Sequence, residues 1–541
     1  MKLLMEQCKL NGKRRLVCSA VAGVILGVCL VIGYCIEKWM AVPYTDLRLY
    51  MVLLLCVFVV GVLVYLLFAL LDSRRGEAQP EKEYTTVQKL LRIGGYGSAI
   101  LIGWMPSFLG VYPGWFNYDA PWQLAMYESN AISAHHPVLH TVIMGSILNV
   151  MARWNGTYNK GIALYLLLQM VVLAGCFGYI VYYMGKKRVG KPGRVLAVAW
   201  FVLFPTIVLH AMCPTKDTLF AGFFAVWFLF TYDMLRRPEW FFRNKLKMAG
   251  WVVLLFLCIV FRQNSLYVFL IMTVPVLLSL RKNSPGRYWK TFCAMLAGVA
   301  VLYGLYIGPF YALFDVKPGS KVEFLSVPSQ QLVKVYLQEG NELAPEEKAK
   351  LESLFQEAAF VTYRPKIADY TKGNLRLDVM EDMGGDFWKL YGSLFMQYPD
   401  VYLDSFFTNT YGFWYPDATV DIYEDGVSYY FASEHVPPAV ENSKIPLLLK
   451  YYKSFYTDFP VEDAGPLTWG LSMALYFYLL LITLIYMIYQ RKTAAILCCM
   501  TVFLLWLTYL LGPAALVRYV LFLYVLPPVE CLLLRGDKLQ K

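Results

Sequence analysis

Long apolar stretches alternate with short polar connections along most of the chain. A helix that crosses a bilayer needs about 20 consecutive apolar residues, and stretches of this length recur from the N-terminus to the C-terminus. A further apolar segment, 137–152, is interpreted as a re-entrant or interfacial helix, with a full crossing as the alternative. The pattern predicts an all-α polytopic membrane protein of about 12–13 transmembrane helices. The predicted spans are 16–36, 48–71, 93–112, 161–184, 194–212, 217–235, 247–262, 265–281, 291–312, 468–489, 493–511 and 516–534.

The composition agrees with this class of protein. The chain has 541 residues, of which 58% are hydrophobic and 16% are charged, whereas soluble domains contain about 25% charged residues. This much apolar and aromatic residue excludes a disordered chain, a collagen-like repeat and a coiled coil. The 12 cysteines lie mostly within or beside apolar stretches, and we interpret them as small membrane-core residues rather than as disulfides or zinc ligands.

The charges divide unevenly along the chain and indicate its orientation. Residues 313–466 contain 24 of the 38 acidic residues and 13 of the 49 basic ones, which gives this segment a net charge of −11. The rest of the chain therefore has a net charge of +22, and the two parts together give the total of +11. Basic connections between spans are typical of the cytoplasmic side. We therefore predict cytoplasmic N- and C-termini, including the basic segment 535–541, and an extracytoplasmic, mainly α domain at 313–466. The charge belongs to membrane loops, so nucleic acid is excluded as a partner and the bilayer is expected.

The chain is predicted to have four parts. Residues 1–92 form an N-terminal extension with two spans, and 93–312 form a transmembrane module that carries most of the candidate chemistry. The extracytoplasmic domain follows at 313–466, and residues 467–541 supply the C-terminal transmembrane helices. With this order and orientation, the connection after the third span and the turns near residues 214, 262 and 518 all lie on the outer face.

The first candidate residue is Asp119, in the segment PGWFNYDAPWQ that follows the third span. An Asp followed closely by Pro is a common helix start, so Asp119 as a helix cap is the simplest interpretation. Gln123 lies four residues later and would share one helix face with it. An ionised carboxylate at a membrane surface is also a candidate general base. Both interpretations stay open at the level of the local pattern.

A group of histidines follows at His135, His136 and His140, which are three of the five in the chain. Two histidines at i and i+4 can hold a metal, yet no carboxylate motif of the HExxH kind completes a site here. A divalent cation is therefore possible, but no cofactor is predicted. Hydrogen bonding at the membrane surface is the simpler role for these side chains.

Several cations on the outer face, taken together, have no simple structural explanation. Lys216 and Asp217 open an apolar helix, where the helix dipole favours Asp217 but not Lys216. Arg262 and Asn264 interrupt an apolar stretch, which is tolerated in a membrane only where the break lines a cavity or is buried in protein. Arg518 and Tyr519 follow Gly512–Pro513 at the start of the last span. An arginine there can simply extend its charged end to the membrane surface, and for Arg518 taken alone this is the simpler interpretation. A carboxylate beside several cations can deprotonate a hydroxyl and stabilise a departing phosphate.

These segments together resemble the C-type glycosyltransferase (GT-C) superfamily, and more closely a bacterial branch of GT-C-like multi-pass proteins of largely unassigned substrate. The resemblance covers about residues 93–530 and depends on the order of its motifs, which are PGWFNYDAPWQ, HHPVLHT, CPTKDTLF, FRQNSLY, VPSQQLVKVY and GPAALVRY. Members of the superfamily take a sugar from a polyprenyl-phosphate or -diphosphate carrier on the external face of the membrane.

The resemblance implies roles for individual residues. Asp119 is implied as the catalytic residue, although Tyr118 stands where many relatives carry a second acidic residue, so a metal-binding carboxylate pair is not implied. Cations are implied as ligands of the donor phosphate. These are Lys216, Arg262 and Arg518. Further candidate substrate contacts are Gln123, His135, His136, Asp217, Asn264, Gln330, Gln331 and Tyr519.

The function expected from these observations is a membrane glycosyltransferase. It would move a sugar from a polyprenyl-linked donor to a cell-envelope glycan or lipid acceptor by one inverting displacement at the anomeric carbon. A repeat-unit polysaccharide polymerase or ligase would use the same kind of lipid-linked substrate. A transporter or flippase of a lipid-linked glycan is a different class, in which inverted repeats and polar groups near the bilayer midplane are expected. The sequence shows no such repeat, which favours the enzyme.

Overall fold

The protein is described by a computed structural model that covers residues 2–75, 80–283, 286, 288–418, 421–423, 427–428, 434–454 and 470–535. Within these residues the chain is almost entirely helical. The exception is a small antiparallel hairpin of two short strands, β1 (Asp421–Tyr423) and β2 (Val427–Ser428). The basic C-terminal segment predicted to be cytoplasmic lies outside the described residues beyond Arg535.

The first part of the chain, before residue 314, consists of apolar helices joined by short connections. A π-helical turn at Tyr306–Phe310 joins the last two. The helices are α1 (Lys2–Trp39), α2 (Leu47–Ser73), α3 (Thr86–Gly110), α4 (Ala120–Glu128), α5 (Val138–Asn155), α6 (Asn159–Lys186), α7 (Lys191–Leu203), α8 (Pro205–Ala211), α9 (Lys216–Arg236), α10 (Pro238–Phe242), α11 (Lys245–Phe261), α12 (Asn264–Asn283), α13 (Tyr288–Leu305) and α14 (Tyr311–Leu313).

The remaining part has shorter helices up to residue 453 and apolar helices after residue 473. Single 3-10 turns occur at Lys321–Leu325, Tyr411–Phe413 and Val517–Val520. The helices are α15 (Ser326–Glu339), α16 (Pro345–Leu354), α17 (Glu357–Val361), α18 (Asp369–Lys372), α19 (Leu377–Met383), α20 (Gly385–Gln397), α21 (Pro399–Thr410), α22 (Pro446–Lys453), α23 (Met473–Tyr489), α24 (Thr493–Tyr509), α25 (Leu521–Val525) and α26 (Pro527–Arg535).

Seven stretches of described helix are long and apolar enough to cross a membrane, which confirms an all-α, multi-pass membrane protein. They are Gly12–Trp39, Leu47–Ser73, Asn159–Lys186, Lys216–Arg236, Asn264–Lys282, Tyr288–Leu313 and Val517–Arg535. Helices α7 and α8 are long and apolar enough only when taken together, and they are bent by 55° at the break between them, as in a broken span or a re-entrant loop. The other predicted spans coincide with α3, α11, α23 and α24, and segment 137–152 coincides with α5. Length and hydropathy therefore support fewer crossings than the predicted 12–13.

The predicted domain 313–466 packs in two different ways. Its first part, from Leu325 to Tyr402, has a hydrophobic core of its own. Its second part does not, because aromatic side chains such as Phe413 and Trp414 are buried in the core of the apolar helices. Residues 419–420, 424–426, 429–433 and 455–466 of this predicted domain lie outside the described residues.

Helix α9 is the central element for the sites discussed below. It packs against α6, α11, α24 and α25, and most of its side chains are buried around its whole circumference. Its 21 residues span about 30 Å at 1.5 Å per residue. The two ends of α9 therefore lie near opposite faces of a bilayer.

The basic residues of the predicted loops gather at the face where α9 ends. Arg15 pairs with Asp72 at 3.0 Å, which joins the start of α1 to the end of α2. Arg14 donates to the carbonyl of Ile488, and Arg535 donates to the carbonyl of Arg188. The start of α9 lies at the opposite face, together with the connection between α3 and α4 that carries Asp119.

Candidate functional site

The connection between α3 and α4 is held in place by its backbone. Gly114 has a φ of +115°, and a Cβ atom there would lie 1.9 Å from Leu166, so only glycine fits. The Trp115 N–H donates to the carbonyl of Met212 at 2.9 Å. Phe116 exchanges backbone hydrogen bonds with residues 434–436. Three distant parts of the chain therefore position the segment that leads to Asp119.

Asp119 stands at the N-cap position of α4, but its side chain makes no capping hydrogen bond. Its Oδ2 atom lies 3.0 Å from Lys216 Nζ, and its Oδ1 atom lies 3.0 Å from a terminal nitrogen of Arg518. Each carboxylate oxygen therefore has its own cation. The cap interpretation of Asp119 is excluded by this geometry, because the side chain points to the start of α9 and to the last span instead.

His136, the second residue of the His135–His136 pair, lies next to Lys216 and Asp119. Its Nδ1 atom lies 3.4 Å from Lys216 Nζ and 3.7 Å from Asp119 Oδ2. Burial, together with the positive charge of Lys216, lowers the pKa of His136 to about 3. His136 is therefore neutral at pH 7, and a neutral imidazole nitrogen can accept a hydrogen bond from the lysine ammonium group.

The electrostatic balance at Asp119 keeps its carboxylate charged. Burial by itself raises the pKa of a carboxyl group, but the positive charges of Arg518 and Lys216 outweigh burial and hold the pKa of Asp119 well below its usual range. A carboxylate with so low a pKa is a weak base while both cations remain on it. Any ligand that draws these cations away would make Asp119 a stronger base.

A second ion pair lies beside the first one. Arg262, at the break between α11 and α12, contacts Asp217, the second residue of α9. The aromatic ring of Tyr519 lies between the two arginines, 4.9 Å from the guanidinium carbon of Arg262 and 5.1 Å from that of Arg518. The sequence-predicted cations Lys216, Arg262 and Arg518 are thus brought together from three separate elements.

We refer to these residues as the Asp119 cluster: Asp119, His136, Lys216, Asp217, Arg262 and Arg518. With His136 neutral, the cluster has three positive and two negative charges. The Nε atoms of Arg262 and Arg518 are buried and have no hydrogen-bond partner among the described residues. The cluster therefore has both positive charge and spare donors for an anion, and arginine donors suit the oxygen geometry of phosphate.

Residues from the predicted domain 313–466 lie over the same face. The Ala134 N–H, beside the histidines, donates to the carbonyl of Lys317 at 2.8 Å. The Ala368 N–H donates to the carbonyl of Pro513 at 2.7 Å, in the turn that leads to Arg518. These contacts tie the domain to the loops that carry the cluster.

Three of the other candidate substrate-binding side chains contact neighbouring residues near the cluster. The Gln123 side chain lies 2.6 Å from His140 in α5, and Asn264 donates to Thr508 at 2.7 Å. The His135 ring packs edge-on against His136 at 4.6 Å. These three side chains border the cluster but do not join its ion pairs.

Gln330 and Gln331 make hydrogen bonds away from the Asp119 cluster. Gln330 donates to the carbonyl of Arg364 and accepts a hydrogen bond from Thr371. Gln331 donates to the carbonyl of Tyr402 and accepts from a tyrosine. Both glutamines are buried in α15, and their side chains hold neighbouring helices of the domain together.

Sequence reasoning did not single out two aromatic residues that support the arginines. The guanidinium carbon of Arg518 lies 4.8 Å from the ring of Tyr118, and that of Arg262 lies 5.3 Å from the ring of Tyr509. Tyr118 directly precedes Asp119 and has a φ of +53°, an unusual backbone conformation for a bulky residue. Only the adjacency of Tyr118 to Asp119 was visible in the sequence.

The described residues contain no group of three or more His, Cys, Asp or Glu side chains that could hold a metal ion. His136 and His140, the candidate i and i+4 ligands, turn to different partners. The functional groups of the Asp119 cluster are two carboxylates, an imidazole, an amine and two guanidinium groups.

Apolar helices that can cross a bilayer and a buried charge cluster at one face define a multi-pass membrane protein with a polar site at a membrane surface. Residues 124–538 match the model of DUF6020, a family of unknown function, and the chain belongs to this family. The match begins five residues after Asp119 and includes the cations of the cluster. No curated protein and no solved structure shows a significant match to the chain.

Proposed function

We propose that the Asp119 cluster is the active site of a GT-C-type membrane glycosyltransferase. Its donor would be a sugar on a polyprenyl-phosphate or -diphosphate carrier, and its acceptor a cell-envelope glycan or lipid. The observation that carries the proposal is the position of Asp119, whose two carboxylate oxygens lie 3.0 Å from Lys216 and from Arg518. Transfer from a sugar phosphate needs a base that accepts the proton of the acceptor hydroxyl and cations that stabilise the departing phosphate, and this arrangement can supply both.

The first proposed step is the binding of the donor phosphate. The phosphate competes with Asp119 for Lys216 and Arg518, and the spare Nε donors of Arg518 and Arg262 bind its oxygens. Asp119 then loses part of the positive charge that keeps its pKa low. Since the carboxylate is buried, its pKa rises on this exchange, and donor binding itself activates the base.

The second step is the displacement at the anomeric carbon. Asp119 accepts the proton of the acceptor hydroxyl, whose oxygen forms a new bond to the anomeric carbon on the face opposite the phosphate. The bond between that carbon and the phosphate oxygen breaks, and its electron pair stays on the phosphate. Lys216, Arg262 and Arg518 stabilise the charge of the leaving group, and one displacement inverts the configuration.

The proposal includes an orientation in the membrane. Basic residues gather at the face where α9 ends, and such a face is typically cytoplasmic. The Asp119 cluster and the described part of 313–466 would then be extracytoplasmic, with about 12–13 crossings if α3, α11, α23 and α24 also span the bilayer. Polyprenyl-linked sugars on the outer leaflet would reach the cluster directly.

One observation bears on the alternative functions. Between its two charged ends, α9 is packed with stacked aromatic side chains, and Phe220, Phe224 and Trp227 are all buried. A transporter of an anionic glycolipid needs polar contacts near the bilayer midplane, which these turns of α9 do not offer. A polymerase or ligase would use the same cluster and the same lipid-linked substrates, so it remains an alternative of the same chemical kind.

The test replaces Asp119 by Asn in the full-length protein. Asp119→Asn keeps the size of the side chain but removes the base, so transfer from a panel of synthetic polyprenyl-phosphate hexoses is expected to fall by about 100-fold or more. Binding of the polyprenyl phosphate itself is expected to be retained or tighter, because the competing carboxylate charge is gone. Turnover is measured in nanodiscs, and binding is measured by thermal shift.

The matched control is Asp315→Asn, at an acid on the same face whose side chain is 82% exposed. Its turnover should remain within about twofold of wild type, since exposed pairs of this kind contribute little. Asp119→Glu keeps the carboxylate if the Asn variant does not fold. Near-normal transfer by a folded Asp119→Asn protein would show that Asp119 is not the base.

A further inference from the structure

A second group of buried ion pairs lies at the other end of α9. Asp233, near the end of the helix, accepts a hydrogen bond from Tyr183 at 2.7 Å and pairs with Lys186 at 3.3 Å and Lys247 at 3.2 Å. Glu81, just before α3, also pairs with Lys186, at 3.0 Å. The ends of α6 and α9 and the starts of α3 and α11 are therefore joined by charges at the basic face.

A cavity of about 730 Å³ lies beside these ion pairs, and we call it the Lys89 pocket. The side chains that line it include six basic ones and two acidic ones, Glu81 and Glu83. Even with Asp233, which pairs with Lys186 and Lys247, the basic side chains outnumber the acidic ones. The excess positive charge calls for an anion. The basic side chains are Lys82, Lys89, Lys186, Arg236, Arg237 and Lys247.

Among the cations of this pocket, Lys89 gives the strongest indication that a ligand binds there. It is half-buried on α3, and its side chain has neither an ion pair nor a hydrogen bond among the described residues. It lies close enough to Lys247 on α11 for the two ammonium groups to repel each other. The two lysines come from different helices and line the same cavity, and an anion between them would remove the repulsion.

The aromatic residue Trp240 restrains two other cations of the pocket, Lys186 and Lys247. The ring of Trp240 lies 3.5 Å from Lys247 Nζ and 4.3 Å from Lys186 Nζ. Cation–π contacts of this kind restrain a lysine side chain without neutralising its charge. The pocket is therefore built in advance for a negative group, and little ordering is required when that group binds.

The pocket also has an apolar side. Ile93, Tyr179 and Phe230 line it, and each lies further from this face along its helix than Lys89, Lys186 or Asp233 does. Leu90 and Leu91, beside Lys89 on α3, are 65% and 70% exposed, as expected for side chains that face lipid. A ligand that matches both sides has a phosphate-like group joined to a hydrocarbon chain.

We infer that the Lys89 pocket binds the phosphate group of an anionic phospholipid at the face opposite the Asp119 cluster. The phosphate lies between Lys89 and Lys247, and an acyl chain follows the apolar wall formed by Ile93, Tyr179 and Phe230. Basic pockets between membrane helices are known to hold the headgroups of anionic lipids. This inference does not depend on the proposed glycosyltransferase activity.

The test measures lipid retention by the full-length protein with native mass spectrometry. Purified protein in detergent is titrated with phosphatidylglycerol, with phosphatidylcholine as the neutral lipid, and separately with inorganic pyrophosphate. Lys89→Gln is expected to weaken phosphatidylglycerol binding about fivefold, and Lys89→Gln with Arg237→Gln about 25-fold. Removal of Lys89 leaves no acid unpaired, so this variant is expected to fold.

The control is Lys245→Gln, which removes an exposed cation two residues from Lys247 that does not line the pocket. It should retain phosphatidylglycerol as wild type does. Equal retention by Lys89→Gln and wild type would overturn the site. Binding of pyrophosphate that depends on Lys89, without binding of phosphatidylglycerol, would assign the pocket to a soluble phosphate and overturn the lipid assignment.

Discussion

The two charged regions at the ends of α9 use the same residue types but differ in balance. In the Asp119 cluster two carboxylates meet three permanent cations, and Asp119 holds one cation on each of its oxygens. In the Lys89 pocket six basic side chains meet two acidic ones around a cavity. An anion that enters the first region must compete with a carboxylate, whereas an anion that enters the second finds a free lysine.

The backbone that carries the two regions also differs. Three of the five charged groups of the Asp119 cluster come from irregular segments, which are the turn after Gly114, the break at Arg262 and the 3-10 turn that contains Arg518. The other two, Lys216 and Asp217, begin the regular helix α9. Those of the Lys89 pocket come from the ends of regular helices and the segment just before α3. Irregular backbone inside a membrane protein occurs where it lines a site, so the comparison favours chemistry at the first region and lipid binding at the second.

The largest effect is expected from Asp233→Asn, which tests whether the pocket end of α9 is structural. Its side chain is only 3% exposed, and the substitution leaves Lys186 and Lys247 without this partner. Loss of one partner of a buried pair typically costs about 3–5 kcal/mol, so the melting temperature should fall markedly. Folded Asp233→Asn protein should still transfer sugar.

Glu239→Gln, at an exposed acid on the same face, is the control and should melt as wild type does. The comparison between the regions would fail if Asp233→Asn lost transfer activity without loss of stability, since Asp233 would then act in the chemistry.

The next largest effect is expected from Arg518→Gln. The substitution removes the cation on Asp119 Oδ1 and a donor for the leaving phosphate, so transfer should fall by about 10²- to 10³-fold. Arg237→Gln at the Lys89 pocket removes a cation of the same kind and should leave transfer within about twofold. The transfer rates of the two variants are measured in nanodiscs and compared. Equal losses would show that the cations of both regions act on transfer.

The pH dependence should separate the two states of Asp119. In the free protein, burial raises its pKa, but the Arg518 and Lys216 charges hold the pKa well below its usual range. The acid limb of kcat/KM, which reports the free enzyme, should therefore lie below about pH 4. The acid limb of kcat should lie at a higher pH than that of kcat/KM, because in the proposed mechanism the donor phosphate then shares those cations.

In both profiles the rate falls as the pH decreases through the pKa, since protonation removes the base. The two limbs are measured from full rate curves at each pH. Coincident limbs would mean that the donor does not draw the cations away from Asp119.

The smallest effect is expected at Tyr519, whose ring lies between Arg262 and Arg518. Tyr519→Leu removes both cation–π contacts and should weaken binding of polyprenyl phosphate by about two- to thirtyfold. Tyr519→Phe keeps the ring and should bind nearly as wild type does. If the Phe variant lost as much affinity as the Leu variant, the hydroxyl group rather than the ring would be the important contact.

The sequence predicted more about the cluster than about the number of crossings. Lys216, Arg262 and Arg518 were each conspicuous because a cation at an apolar helix end or break is unfavourable without a partner. Whether α11, α23 and α24 span the membrane was harder to predict, because each has only 17 residues and helix length within a packed bundle depends on where neighbouring loops bend. The bend of 55° between α7 and α8 is an example, because α7 ends at Leu203 and Pro205 begins α8 one residue further on. Helix α3 is long enough, with 25 residues, but it is not among the helices that are also apolar enough to cross a membrane.

The interpretation of local pattern was misleading in one place. Asp119 before Ala120–Pro121 has the pattern of a helix cap, yet its side chain makes no cap. The hydrogen bonds of Gln330 and Gln331 within their own domain were also not visible in the sequence, and their role as substrate contacts stays a prediction. Asp233 attracted no attention within its apolar helix, although an acid there requires a buried partner.

The sequence by itself determined that the chain forms apolar helices with charged ends, because backbone groups in lipid must be bonded within each helix. It also placed an unusual set of charges near the ends of those helices. Only the tertiary structure decided which charges meet. Asp119 pairs with Arg518, and Lys89 lies near Lys247 without an acid of its own, because ion pairing depends on distances of about 4 Å that are set by the packing of helices far apart in the chain.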